Sequence, residues 1–354
     1  MKKTLLALAV AAVAASGANA TVIYQKDGTK IDLDGRVHLQ ISNSKGERTD
    51  LIDKASRVRV RAFQEIGGGF EAVGAVEFRF TDYAPSSTDK SLGGNTHAKR
   101  IFAGFQHKDI GSLTFGKQLV LGDHIPKANY SYELGGNVFL DAHGKAAHFM
   151  SAKFAGVRLA ADYYFGTANK ENTLGAKTAD AGQGFQLGAF YDGKIGDVAV
   201  RFGSGYGELT KGTTEANEYK TKYAGVGFDV TYGIVSWGVD WAYAKSTKGH
   251  KDAGQFQSYS NPLTSPKFEK INRFEVGTKV AVTKQNNIYG SLLFGTAKNQ
   301  GEEKAKNFGW KLGVDHQFNK FVAVYVEGGK GKTKQNGVTI DEGRKVALGT
   351  RILF

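Results

Sequence analysis

Residues 57–63 read RVRVRAF. Successive side chains of a strand point to opposite faces. Arg57, Arg59 and Arg61 therefore share one face, and Val58, Val60 and Ala62 share the other. Such a strand separates water from an apolar phase. Whether that phase is a protein core or a lipid bilayer depends on the rest of the chain.

The same period of two runs almost throughout. KIDLDGRVHLQIS (30–42) sets Ile31, Leu33, Val37, Leu39 and Ile41 against Lys30, Asp32, Asp34, Arg36, His38 and Gln40. FGWKLGVDHQF (308–318) sets Phe308, Trp310, Leu312 and Val314 against Lys311, Asp315 and Gln317. IVSWGVDWAYAK and RFEVGTKVAV behave alike, and no stretch after residue 20 has the 3.6-residue period of an amphipathic helix. The four prolines, Pro85, Pro126, Pro262 and Pro266, all fall in polar connections, as expected of a chain built from paired strands.

Connections of two kinds alternate. Tight turns lie at IGGG (66–69), HKDIGS (107–112), YDGKIGD (191–197), TKQNN (283–287) and FNK (318–320). Longer polar stretches include TDYAPSSTDKSLGGNTH, KGTTEANEYK, NQGEEKAK and KTKQNGVTIDEG. This is an up-and-down meander of about sixteen strands, within the range of transmembrane barrels. A soluble sandwich of this length would need a second sheet over every apolar face and would exceed the usual domain size. Closing one sheet with lipid outside and water inside satisfies every strand. The predicted fold is all-β, a transmembrane antiparallel β-barrel with short periplasmic turns and long extracellular loops. In that register the arginines of RVRVRAF face lumen water. On the lipid face each would cost about 2–4 kcal/mol near the midplane.

Lys2 and Lys3, the apolar run Leu5–Ala15 and Ala18-Asn19-Ala20 have the form of a secretory signal peptide. The chain is expected to divide into a signal peptide at 1–20 and a barrel at 21–354. The formal charge is +13 and there is no cysteine, so a disulfide framework, a thiolate metal site and a cysteine nucleophile are excluded. In an exported protein this charge suits anionic lipid, sugar-phosphate coats or anionic solutes rather than nucleic acid.

Several segments, in order, resemble the general diffusion porins of Gram-negative outer membranes, with OmpH-type major porins as the nearest style. They are YQKDGTKIDLDGRV (24–37), FAGFQHKDIGSLTFGKQ (102–118), YELGG (132–136) and the terminal KVALGTRILF. The resemblance implies a homotrimer and a third loop folded into the lumen. It places that loop within Lys117–His148, with Asp123, Glu133 and Asp141 on its acidic side. The family's Pro-Glu-Phe-Gly-Gly motif has Tyr132 for its proline, and its following aspartate is Asn137 here. Arg36, Arg57 and Arg100 match wall cations of the family. Arg59 and Arg61 extend that wall, and Lys145 and Lys153 are further candidates. Phe354, with Ile352, Leu348 and Val346, resembles the signal read by the barrel-assembly machinery. Small outward residues Gly35, Ala62, Ala72, Gly74 and Ala103 lie in the strands where family trimers pack. Outer-membrane lipid and lipopolysaccharide are the expected surroundings.

Acid on the loop and base on the wall would set a transverse field, and rings of charge tune ion selectivity. Part of that wall is also expected to pair with lumen carboxylates such as Glu71, Glu77 or Asp162. Other classes fit less well. The eight histidines form no Ser–His–Asp pattern and no metal-ligand spacing, so neither catalysis nor a cofactor is expected. The aromatics fall mostly outward, which suits interface girdles rather than the lumen ladder of a sugar-specific channel. The predicted function is a passive, water-filled pore for small hydrophilic solutes.

Overall fold

The computed structural model describes residues 20–81, 92–132, 134, 139–166, 182–211, 218–257, 259 and 265–354. The proposed signal peptide therefore lies outside the described residues up to residue 19.

The strands are β1 (Thr21–Lys26), β2 (Thr29–Ser44), β3 (Asp50–Asp53), β4 (Ser56–Gly67), β5 (Phe70–Thr81) and β6 (Asn95–His107). Next come β7 (Gly111–Leu119), β8 (Ala142–Ser151), β9 (Val157–Tyr164), β10 (Gly184–Ile195), β11 (Val198–Lys211) and β12 (Tyr219–Tyr232). The last are β13 (Val235–Ser246), β14 (Lys270–Ala281), β15 (Asn286–Lys298), β16 (Ala305–Gln317), β17 (Val322–Gln335) and β18 (Val338–Leu353). One 3-10 turn, Leu121–His124, follows β7.

Sixteen of these strands close a ring. From β4 onward each strand pairs antiparallel with the next, and β2 pairs with both β18 and β4. The two short strands extend existing lanes. β3 continues β4 across a break at Lys54–Ala55, where Ala55 has φ 62°. β1 continues β18 along β2, since Leu353 pairs with Arg36 and Thr21 with Leu33. Between them Phe354 exchanges both backbone bonds with Gly35, at 2.8 and 3.1 Å. A side chain at Gly35 would strike the Phe354 ring. The chain's last residue thus seals the seam.

Burial is inverted relative to a soluble protein. Along β16 the alternation is complete from Ala305 to Asp315: Phe308, Trp310, Leu312 and Val314 are exposed, while Asn307, Lys311 and Asp315 are buried. β2 buries Asp32, Asp34, His38 and Gln40 and exposes Val37 and Ile41. Apolar side chains turned outward on every side of a closed ring are the lipid face of a barrel. A slip of one residue would reverse every strand's faces, so these patterns fix the register.

One connection differs from the sequence reading. KTKQNGVTIDEG is not a long loop: β17 and β18 run through it to a two-residue turn, Asn336–Gly337, with φ 51° and 77°. Asn-Gly with both residues left-handed is the type I′ hairpin, whose twist matches the strands. The long segment 247–269 in turn brings Phe256 and Phe268 together, ring centroids 5.6 Å apart, in a buried apolar cluster with Ile271 and Ala297.

Candidate pore-lining site

The cross-strand register sorts the wall cations into three rows. The first is Arg36–Arg57–Arg79–His97 across β2, β4, β5 and β6. The second is Asp34–Arg59–Glu77–Arg100, and the third is Asp32–Arg61–Ala75–Phe102. Alternating signs make the second row self-neutralising. Arg59 grips one Asp34 oxygen through Nε and a terminal nitrogen at 3.0 and 2.8 Å. Arg61 reaches Asp32 at 3.4 Å and Asp34 at 3.6 Å.

Glu77, 0% exposed, is the hub. It takes Arg100 and Arg79 at 2.8 Å each and Arg57 at 3.9 Å. Of the other carboxylates considered as partners, Glu71 bonds Gln106, and Asp162 bonds His148 and Tyr164. Arg36 is held by backbone carbonyls of Ala55 and Lys54, at 3.2 and 3.5 Å, and has no carboxylate at ion-pair distance among the described residues. Arg79, on the same row, was missed in the sequence, although the alternation of EFRF already puts Glu77 and Arg79 on one face.

The segment 120–141 joins β7 to β8 and is shorter than the Lys117–His148 window because β7 runs to Leu119 and β8 begins at Ala142. Its backbone is tied to inward-facing side chains around the ring. Leu121 N donates to Asp162 at 2.9 Å. Asp240 of β13 accepts from Lys127 N and Ala128 N at 2.7 and 2.9 Å. Glu327 of β17 accepts from Tyr132 N and Leu134 N at 3.0 and 3.2 Å. Lys311 of β16 pairs with Glu275 at 2.7 Å and donates to Asn129 and to the Leu134 carbonyl. Below the segment, Val120, Leu121, Ile125 and Phe139 form a buried cluster with Tyr164, Phe190 and Tyr223.

Glycine makes the close approach possible. The paired Gly238 and Gly277 lie against Ala128, and a Cβ on either would run into its backbone. Tyr132, where the family motif has proline, stacks on Tyr325 (4.5 Å, 4° between planes) and carries the Arg351 guanidinium 4.7 Å over its ring. A Val at Gly277 is expected to lift the segment from β14 and raise single-channel conductance in a planar bilayer; an unchanged conductance would contradict this docking.

Asp123 and Asp141 are exposed. Asp123 is enclosed by protein although open to water, and Asp141 stands near it. Both effects raise its pKa, against the attraction of Arg100, Lys127 and Arg79. Burial, with Arg201 nearby, lowers Lys127 to about 8. Glu133 lies outside the described residues. Of two further candidates, one turns away from the wall and the other lines a cavity with it. Lys145 has the opposite parity to the buried Ala146 and His148, so one step of register turns it outward. Lys153 sits beyond β8 in a short turn, 3.8 Å from Asp192, and lines one cavity with Arg59 and Arg100.

A closed barrel, apolar outside and charged within, is the architecture of an outer-membrane channel. Residues 7–336 match the family model described as Gram-negative porin. The chain is 34% identical over 372 residues to a major outer membrane protein of Pasteurella multocida, covering all of both chains. Among solved structures it resembles in-vitro folded OmpT of Vibrio cholerae in its trimer form (TM-score 0.69, 18% identity, 93% of this chain, 100% of that one). It also resembles an anion-selective porin from Comamonas acidovorans (0.66, 16%, 92% and 100%) and Salmonella typhi OmpF in complex with daunomycin (0.67, 16%, 94% and 100%). The chain belongs to the Gram-negative porin family and is an outer-membrane channel protein.

Proposed function

We propose that the chain is a general diffusion porin in which segment 120–141 crosses the lumen and sets its narrowest section. The Arg36–Arg57–Arg79 row on one side and Asp123 and Asp141 on the other form a transverse field that gives weak charge selectivity. The observation that carries this reading is the register row itself: three arginines side by side, of which Arg57 and Arg79 share one buried acid, Glu77, with Arg100, while the exposed Asp123 lies in the field of Arg100 and Arg79. Small polar solutes pass without cofactor or energy source. Swelling of liposomes containing the folded protein, in neutral sugars of rising mass, tests passage directly; no swelling with the smallest sugar would contradict it.

The charge reading carries a pH dependence. As pH rises through about 8, Lys127 loses its proton. The site loses a positive charge and the anion preference falls. As pH falls, Asp123, whose pKa burial and Asp141 raise from the ordinary aspartate value, takes up its proton sooner than a free aspartate. The site loses a negative charge and the anion preference rises. Reversal potentials across a salt gradient from pH 9 to pH 4 are expected to shift in that one sense throughout; a flat profile would remove these two groups from the permeation path.

The same reading includes a homotrimer. Ala62, Gly74 and Ala103 are directly opposite one another on β4, β5 and β6, a flat outward strip where a neighbouring barrel can approach closely. It further includes cleavage after Ala20, recognition of Phe354 by the barrel-assembly machinery, and contact with outer-membrane lipid and lipopolysaccharide.

A further inference from the structure

The segment between β13 and β14 carries no charged side chain from Ala253 to Pro266. Its neck is closed by two backbone bonds, Ala253 N to the Phe268 carbonyl at 2.8 Å and Phe268 N to the Gly254 carbonyl at 3.0 Å. Beyond the neck, Phe256 and Tyr259 are buried, at 4% and 9% exposure.

Both rings lie on inward-facing glycines of the wall. On β15, Tyr289, Leu293 and Ala297 are buried and Leu292 and Phe294 exposed, so Gly295 faces the lumen. A Cβ there would meet the Phe256 ring at 2.7 Å. On β17, Tyr325, Glu327 and Thr333 are buried and Val326 exposed, so Gly329 faces the lumen. A Cβ there would meet the Tyr259 ring at 2.9 Å. The charges of Arg273, Glu275 and Glu327 reach the Tyr259 hydroxyl. Tyr259 also holds a left-handed backbone, φ 57°, which a bulky residue rarely adopts. Such a conformation persists only where the surroundings enforce it.

The register measures how far the segment descends. Gly295 is paired with Arg273, whereas Ala128 of segment 120–141 lies against Gly277, four residues further along β14, or about 13 Å. Gly329 ends the row of Gly277 itself, Gly277–Ser291–Lys311–Gly329. Phe256 therefore sits on the long-loop side of segment 120–141. Tyr259 reaches its level, beside Lys311, which holds the Leu134 carbonyl.

We propose that segment 247–269 is a second inward element of the channel. Seated by Phe256 and Tyr259 on Gly295 and Gly329, it narrows the lumen on the long-loop side of segment 120–141 and screens solutes by size before they reach the charged rows. The proposal rests on the reading of the lumen as a pore and deepens it. Without charge between Ala253 and Pro266, this element restricts anions, cations and neutral sugars alike. Two restrictions in series add their resistances, so relief of either raises conductance and relief of both raises it further.

Two variants of the full chain test this in planar bilayers and in liposome swelling. In the first, Phe256→Ser with Tyr259→Ser removes the seats. In the second, Asn-Gly replaces residues 255–266, which leaves a three-residue connection between the bonded Gly254 and Phe268, within the ordinary range of hairpin loops. Neither variant removes a charge. The shortened chain is expected to conduct roughly 1.5-fold more per channel than the parent and to admit the larger sugars faster, at an unchanged reversal potential. The serine pair is expected to shift both readings in the same sense by less. Adding Gly277→Val, which lifts segment 120–141, is expected to raise conductance beyond either change alone. A folded shortened channel with the parent's conductance and sugar profile would overturn the proposal, and so would a serine pair that changes neither. A reversal potential that moves while sugar entry stays fixed would also overturn it. A parent that conducts beside indifferent variants defeats this element alone; a parent that carries no current defeats the pore.

Discussion

Replacing Glu77 by glutamine is expected to weaken the barrel and raise its anion preference at once. Its carboxylate has no solvent exposure and is the shared counter-ion of Arg57, Arg79 and Arg100. Glutamine keeps the shape and removes the charge. Three guanidinium groups then repel one another across two rows of the wall. Removing one partner from a buried ion pair costs about 3–5 kcal/mol. That loss should appear as a lower temperature for conversion of the compact barrel to the unfolded form on unheated-versus-heated electrophoresis. The freed positive charge should move the reversal potential toward that of the anion. A Glu77→Gln barrel as heat-stable as the parent, with the same reversal potential, would mean that the hub is not a hub.

Serine at Arg36, Arg57 and Arg79 together is expected to move selectivity the other way. Arg57 and Arg79 share the single Glu77 with Arg100, and Arg36 has no carboxylate at ion-pair distance among the described residues, so the row leaves an excess of positive charge on the wall. Two unit charges 6 Å apart in water interact by about 0.7 kcal/mol, before screening over a Debye length of about 10 Å. Three such charges make the expected shift in the anion-to-cation permeability ratio roughly tenfold. Arg59→Ser is expected to behave differently. It leaves the buried Asp34, one oxygen of which takes two Arg59 nitrogens, with the more distant Arg61 at 3.6 Å, and its main effect should fall on stability. If the single Arg59 change shifts selectivity more than the triple change does, the rows have been assigned the wrong tasks.

The contrast shows where the sequence stops being legible. RVRVRAF gives the face of each arginine, because parity along a strand is a local property. It does not give the partners, because these come from β2 and β5 and depend on the cross-strand register. Three arginines that look alike in the sequence are therefore unlike in the wall: Arg57 belongs to the row with excess positive charge, Arg59 to a neutral one, and Arg61 to the two aspartates of β2. Arg36 and Arg100 are placed by the same parity, and Arg79 shares it but is hidden by the short motif around it. The ring of sixteen strands is legible for the same reason as the faces, since period two and alternating connections recur along the whole chain.

Segment 120–141 shows the opposite limit. Its length and acidity are visible in the sequence, but its anchors are not. Asp240, Lys311 and Glu327 lie more than a hundred residues away and look like ordinary inward positions of clean strands. Gly238 and Gly277 look like the glycines of any glycine-rich chain until the Ala128 backbone is found against them. Lys145 was misplaced because the alternation of β8 cannot be phased from a loop whose end is unknown. The hairpin at Asn336–Gly337 reads as a long loop in the sequence because the residues around it are polar, although Asn-Gly flanked by alternating residues is the strongest short-range hairpin signal.

The most direct test is a planar-bilayer recording of the purified, refolded chain under a salt gradient. The account predicts stepwise, ohmic, long-lived conductance in groups of three, with a reversal potential that moves toward the cation in the Arg36/Arg57/Arg79 serine variant. A folded barrel that carries no current, or one whose reversal potential ignores that row, would contradict it.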